Sequence, residues 1–332
     1  MPRTPFSLLL SMTLLAASAG ASAQTCGAPV YGAVALTADM VCPAGVDGLV
    51  IGADHVRIDL NGFSITSPNS VATRGIRSSR FGGIKIVGPG SIVGFDTSVM
   101  IDGGDNHEIR EIDAARVSSV GARIAIWLHN SSGSVIEKSR VGAVNLGADP
   151  GNRAAANRIV GNDADTISVW GCQTYKNEIS DNAIHPATQF MAVALAEGAK
   201  DNQVIGNTIV SGTVWLGGSS GNVVANNIIM NAVYPSWIYA GVIVGHHPST
   251  CAGGALVDAT QNVVRGNTIT GAHVGVLMAA GSRNNQVSHN KLYDQVAVGL
   301  RFNVDSDDND GRGNGYRVPV PVVDLGQRNL WP

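Results

Sequence analysis

The sequence predicts an all-β fold, a right-handed single-stranded parallel β-helix (a solenoid) of about ten coils. Three observations predict it. First, a six-residue pattern, Asn-x-(Ile/Val)-x-x-Asn, recurs at Asn157–Asn162, Asn177–Asn182, Asn202–Asn207, Asn222–Asn227, Asn262–Asn267 and Asn285–Asn290. Second, the apolar residues within and after each copy alternate with period two, the strand period. Third, outside the first residues no segment keeps a 3.6-residue period without a Gly or Asn break. Each strand is too short to bury an apolar face alone. Coils stacked about 4.8 Å apart share one core.

Composition supports this. Of 332 residues, 44% are hydrophobic and only 14% charged, and there are 41 glycines for turns. The formal net charge is −3. That leaves no basic footprint for nucleic acid and no polybasic patch for a membrane surface. Asn at the turns is expected to tolerate left-handed backbone angles, and stacked Asn side chains to hydrogen-bond from coil to coil.

In chain order, residues 1–23 read as a signal peptide. Arg3 begins it, Phe6–Ala17 is apolar, and Ala21-Ser22-Ala23 is the small-residue cleavage site. An uncleaved anchor is the alternative. The mature chain is then secreted or periplasmic, with no membrane contact after signal removal. Its four cysteines, Cys26, Cys42, Cys172 and Cys251, favour disulfides in an oxidising compartment. Four cysteines allow three pairings. The preferred one is a local Cys26–Cys42 staple, with Cys172–Cys251 left by elimination. Residues 24–47 would cap the N-terminal end, residues 48–304 form the β-helix, and residues 305–332 close the other end as a cap or tail. The step of 40 residues from Asn227 to Asn267 holds either an extra coil or a long insertion.

Upstream of the Asn pattern, His55–Ile65 reads HVRIDLNGFSI and Gly83–Phe95 reads GIKIVGPGSIVGF. These lines and the Asn repeat resemble the pectin-lyase-like β-helix superfamily over roughly residues 48–304. The resemblance implies the fold. It leaves the activity open, because that fold hosts lyases, hydrolases, epimerases, transferases and non-catalytic proteins. The acidic calcium cluster of its calcium-dependent lyases and the paired aspartates of its polygalacturonase-like hydrolases are not matched here.

A further strand recurs in each coil, as in Val99–Asp102, Ile126–His129, Ile167–Trp170, Val193–Ala196, Val214–Gly217 and Val242–Gly245. With Ile, Val and Leu inward, the outward column reads Asp102, His129, Trp170, Ala196, Gly217, Gly245. Its neighbour carries Trp127 and Trp215, and later Arg301. Exposed tryptophans suit stacking on sugar rings. A carboxylate beside an imidazole orients the ring. His129 is therefore the candidate base, Asp102 its orienting partner, and Trp127, Trp170, Trp215 and Arg301 the substrate-binding candidates. The bland reading is a surface ion pair under loops. Arg123, Arg301, Lys138 and Arg140 are the candidates to neutralise a substrate carboxylate.

Two motifs are weighed and set aside. His246-His247 in a long loop would make a poor metal pair, since neighbours on a strand point opposite ways. Asp305–Gly311 resembles a calcium loop but is out of step by one, with Asp310 where Gly is wanted. No cofactor is expected, and calcium at that loop is the alternative. The expected function is a polysaccharide lyase or epimerase acting on uronic-acid polymers. The alternatives are a non-catalytic carbohydrate-binding or adhesion β-helix, and a glycoside hydrolase pairing Asp102 with Glu197 or Asp105.

Overall fold

The computed structural model describes residues 24–115, 124–186, 191–230, 240–295 and 297–331. The expected signal peptide (1–23) and Arg123 lie outside the described residues. The chain is an all-β parallel solenoid of about 12 turns, slightly more than the sequence suggests. One representative coil runs through the strands Glu178–Ser180, Ala183–Ile184 and Met191–Ala196. Each pairs in parallel with its counterpart in the next coil, for example Glu178–Ser180 with Gln203–Ile205. The first side of the coils forms an 11-stranded sheet, and the other two sides belong to a 21-stranded sheet. Inward residues stack in columns. Ile159, Ile179, Val204, Val224, Val264 and Val287 are all fully buried, each contributing about 1.5–3 kcal/mol of burial.

The asparagines do not themselves take the left-handed turn. The residue before each one does: Lys176, Asp181, Asp201, Gly206, Asn226 and Gly266 all have φ between 55° and 70°. That corrects the sequence expectation, and the reason is geometric. The left-handed residue swings the chain so that the following Asn points inward, where it is buried. Each Asn carboxamide then serves the neighbouring coils. The Asn182 backbone N–H and Nδ2 both donate to Asn207 Oδ1, at 3.0 and 2.9 Å. Asn207 Nδ2 donates to the Ile179 carbonyl and to Asn227 Oδ1. Buried turn amides thus find partners without water.

Two such ladders run side by side, always five residues apart in sequence, as in Asn157/Asn162 and Asn285/Asn290. Toward the N-terminus other side chains take the same place. Ser134 N–H donates to Asn157 Oδ1, His107 N–H to Ser134 Oγ, and Ile84 N–H to His107 Nδ1. Toward the C-terminus the ladders continue through Asn309, Asn314 and Asn329. The supposed tail (305–332) therefore carries on the coil, with Gly315–Arg317 and Val320–Asp324 paired in parallel. Likewise residues 24–47 supply two-residue strands that already pair with the next coil. Such strands are too short to show a period in sequence.

Both disulfides form as expected, Cys26–Cys42 and Cys172–Cys251, with Cα separations of 5.6 and 6.0 Å. The 40-residue step is an insertion, because Asn222 and Asn262 bond directly. Part of it is a hairpin, His247–Pro248 against Leu256–Val257. The Cys172–Cys251 bridge and a bond from Ser249 Oγ to the Glu197 carbonyl tie this hairpin across the coils.

The acidic loop is occupied by arginines. Asp307 faces Arg283, Asp308 faces Arg328 and Asp310 faces Arg312. The Arg328 and Arg312 guanidiniums hold the Asp308 and Asp310 carboxyls below the usual carboxylate range.

Asn207→Ala leaves the Asn182 amides without an acceptor and the Ile179 carbonyl without its donor. It should cost roughly 3 kcal/mol, read as a lower urea midpoint at unchanged slope. His107 gives a pH dependence. Its burial pushes the imidazole below the ordinary histidine value, against the opposing pull of the Gly103 and Gly104 carbonyls and Asp105. The unfolded chain then binds the proton more readily than the folded one. Stability should be full above about pH 6.5 and fall as pH drops through the folded value. Asn at this ladder position keeps an acceptor but cannot titrate. His107→Asn should therefore flatten the acid limb of a midpoint-versus-pH series.

Candidate functional site

The long strand of each coil sets the outward column, and parallel pairing fixes its order. His129 pairs with Asp102 on one side and Gly147 on the other, and Gly147 with Trp170. Sequence alignment of the coils missed the strand Arg140–Gly147. His129 and Trp170 are therefore two coils apart. Gly147 matters here, since a Cβ added there would lie 3.5 Å from both the His129 ring and the Trp170 indole.

His129 lies between two carboxylates. Nδ1 is 3.1 Å from Asp102 Oδ1, and Nε2 is 3.5 Å from Asp149 Oδ1. Asp149 was not among the sequence candidates. It sits in the turn after Gly147, outside the repeat register, and no pattern marked it. Asn130 joins the two sides. Its Nδ2 donates to Asp102 Oδ1 at 2.9 Å and Asp149 Oδ2 at 3.3 Å, and its Oδ1 accepts the Asp149 N–H at 2.9 Å. That last bond fixes the amide orientation. Nδ2 also lies 3.1 Å from His129 Nδ1, so the donor and acceptor roles of the ring nitrogens follow the tautomer. In the tautomer that carries its proton on Nδ1, that proton goes to Asp102 and Nε2 holds the lone pair, facing Asp149. The imidazole is 17% exposed, Asp102 41% and Asp149 60%.

Beside this cluster an open cleft of about 550 Å³ is lined by Gly104, Asp105, Asn130, Gly151, Asn152, Arg153, Gln173 and Tyr175. Its walls are the turns that follow the long strands. Asp105 is held by the Ser132 N–H at 2.9 Å and faces Arg153 at 3.5 Å.

The tryptophans separate. Trp170 is 37% exposed, as a sugar platform requires. Trp127 is only partly exposed, its indole N–H is enclosed, and its ring centroid is 5.5 Å from that of His129. Trp215 lies down over Gly217, packs with Ile243 and Leu277, and meets His247 edge-on at 4.7 Å. Outward is thus not the same as exposed: neighbouring side chains cover both rings. Arg301 shares Trp127's column but stands seven coils away, roughly 34 Å at the coil spacing. It bonds to Asn303 Oδ1. Neither Arg301, Trp215 nor Glu197, which bonds to Thr250, joins the site.

Fold and site together define an exported right-handed β-helix protein with an Asp–His–Asp cluster at the ends of its long strands. The chain belongs to the NosD family, described as "Periplasmic copper-binding protein (NosD)", which matches residues 125–314. That family and the two disulfides place the mature chain in a secreted or periplasmic setting. Among the described residues, no helix is long and apolar enough to cross a membrane. No curated protein sequence matches. Among solved structures, the chain is similar to DFA-IIIase from Arthrobacter chlorophenolicus A6 in complex with DFA-III, with TM-score 0.60 and 12% identity over 86% of this chain and 88% of that one. It is also similar to a mutant of the periplasmic alginate epimerase AlgG, with TM-score 0.54 and 12% identity over 88% of this chain and 78% of that one. Both likenesses concern the fold.

The family description implies copper, which imidazole, thiolate and thioether donors hold when they converge. All four cysteines are in disulfides. Among the described residues no three His, Cys, Asp or Glu gather so as to hold a metal ion. The carboxylates at His129 lie on opposite ring nitrogens. The donor set at His129 does not fit a resident copper ion, and no step below passes through one.

The Asn130 clamp can be tested directly. Asn130 has φ +53°, so Asn130→Gly keeps the backbone and removes only the carboxamide. The Asp149 amide should then exchange its hydrogen roughly fivefold faster, equivalent to about 1 kcal/mol for one hydrogen bond.

Proposed function

We propose that this protein is a carbohydrate-active enzyme that removes the proton next to the carboxylate of a uronic-acid residue in a polysaccharide, as a lyase or an epimerase. The observation that carries this reading is His129. In the tautomer that carries its proton on Nδ1, Asp102 holds that proton and Nε2 is the base, on a strand set by the coil stack. Nε2 takes the proton, and the electron pair left on carbon is drawn toward the carboxylate. In the lyase outcome that pair becomes the new carbon–carbon double bond. The glycosidic carbon–oxygen bond breaks, and the leaving oxygen takes a proton from the imidazolium. In the epimerase outcome a water molecule gives a proton to the same carbon from the opposite face, and the imidazolium returns its own proton to the hydroxide so formed. Trp170, two coils along, offers the stacking surface for a sugar ring of the polymer.

A second reading has its own observation. Asp102 and Asp149 each bond to the same Asn130 amide nitrogen, so their nearest oxygens lie no more than about 6 Å apart, near the spacing of retaining glycosidases.

The mature protein should be incubated with alginate and polygalacturonate in deuterated water. Products are followed by NMR and by the absorbance of unsaturated uronates. The expected result is deuterium on the carbon bearing the carboxylate, or unsaturation. His129→Ala should lower either signal about 10²–10⁴-fold, and Asp102→Asn should lower it less. New reducing ends without deuterium or unsaturation would establish the hydrolase instead. Binding with no chemical change on any polymer would overturn both and leave a binding module.

A further inference from the structure

We propose that the polar cleft beside His129 is a subsite for a sugar carboxylate, and that Arg153 is the side chain that takes it. The proposal rests on the reading above, since it names the group that neutralises the uronate. Removing a proton next to a carboxylate builds further negative charge on that group, and a cation paired to it lowers the cost.

Two of the candidates from sequence stand elsewhere. Arg301 is seven coils from Trp127 in their shared column, and Arg140 pairs with Asp113 at 3.6 Å. Arg153 lines the cleft itself. It belongs to the turn that carries Asp149. Asp149 is registered against the base by its bonds with Asn130 and its approach to His129 Nε2. Arg153 and the base are therefore held by one turn.

Arg153 is also available. Its pairing with Asp105 is loose, 3.5 Å with side chains 62% and 45% exposed, which is a weak contact in water. Asp105 is held independently by the Ser132 N–H, so it keeps its place when the guanidinium turns away. A carboxylate entering the cleft meets a planar fork of donors suited to bidentate pairing. Asn152, Gln173 and Tyr175 line the rest of the cleft with groups that hydrogen-bond hydroxyls. Lys200 Nζ lies 5.7 Å from the centroid of the Tyr175 ring, a second positive charge behind the residues that line the cleft. The cleft volume, about 550 Å³, lies in the range of small-molecule sites.

The test is binding, separate from turnover. Trisaccharides of galacturonate and mannuronate, and their neutral methyl esters, are titrated calorimetrically into the His129→Ala protein with and without Arg153→Gln. Arg153→Gln should weaken the acidic ligands roughly tenfold to a hundredfold and leave the esters unchanged, with Arg153→Lys in between. Arg153 is largely exposed, and unchanged thermal unfolding will show that the variants fold. Equal affinity for the acidic ligands with and without Arg153→Gln would overturn the proposal. So would equal loss for acid and ester, or no binding of acids at all. The two readings fail separately. Loss of acid preference without any deuterium exchange in the Arg153-intact, His129-intact enzyme sinks the reaction and keeps the subsite. Exchange that depends on His129, with acid preference untouched by Arg153→Gln, does the reverse.

Discussion

A left-handed residue followed by an inward Asn is the unit on which the solenoid depends. The left-handed turn leaves backbone amides facing the core, where water cannot serve them. The Asn carboxamide supplies one acceptor and two donors in the space of one coil. Its Oδ1 takes two N–H groups from the preceding coil, and its Nδ2 reaches a carbonyl there and the next Asn. Serine and histidine hold the same place near the N-terminus with fewer bonds, and His107 brings a titratable ring into the core. The interaction is repeated with a constant spacing, so it also sets the register of everything between.

That constancy decides where variation is allowed. Between the two ladders the spacing is five residues in every coil from His107 to Asn309. Between the end of the long strand and the first ladder it is not. Five residues separate His129 from Ser134, ten separate Gly147 from Asn157, and seventeen separate Gly245 from Asn262. The chain can grow there without disturbing either ladder. Asp149 and Arg153 come from one such extension, and the disulfide-tied hairpin from another. Function collects beside the long strand because that is where extra residues do not break the stack.

The fold was legible for the same reason that the site was only half legible. A ladder repeated every coil is written in the sequence as Asn at fixed intervals. Asp102 and His129 could be found because they ride on the long strand, in register. Asp149 could not, because a turn of free length has no register. The strand Arg140–Gly147 was missed because its coil has no Asn pair upstream: Ser134 and Ser139 stand in the ladder positions. Trp215 was placed on the correct face but misjudged in exposure. Alternation along a strand gives direction. It does not say that a ring will fold down over a glycine in its own strand.

The cluster at His129 shows how the two kinds of segment cooperate. The Asp102–His129 distance is set by the coil spacing and needs no loop. Asp149 arrives from the extension, and two carboxylates facing one imidazole would repel each other. Asn130 relieves that arrangement by giving one amide proton to each carboxylate. Its backbone is left-handed, φ +53°, and its carboxamide reaches Asp102 from one neighbouring coil and Asp149 from the other. In the tautomer that carries its proton on Nδ1, Asp102 accepts that proton and Nε2 holds the lone pair. The carboxamide that spans coils in the core is therefore reused at the surface, where the same three bonding positions tie together carboxylates from the coils on either side.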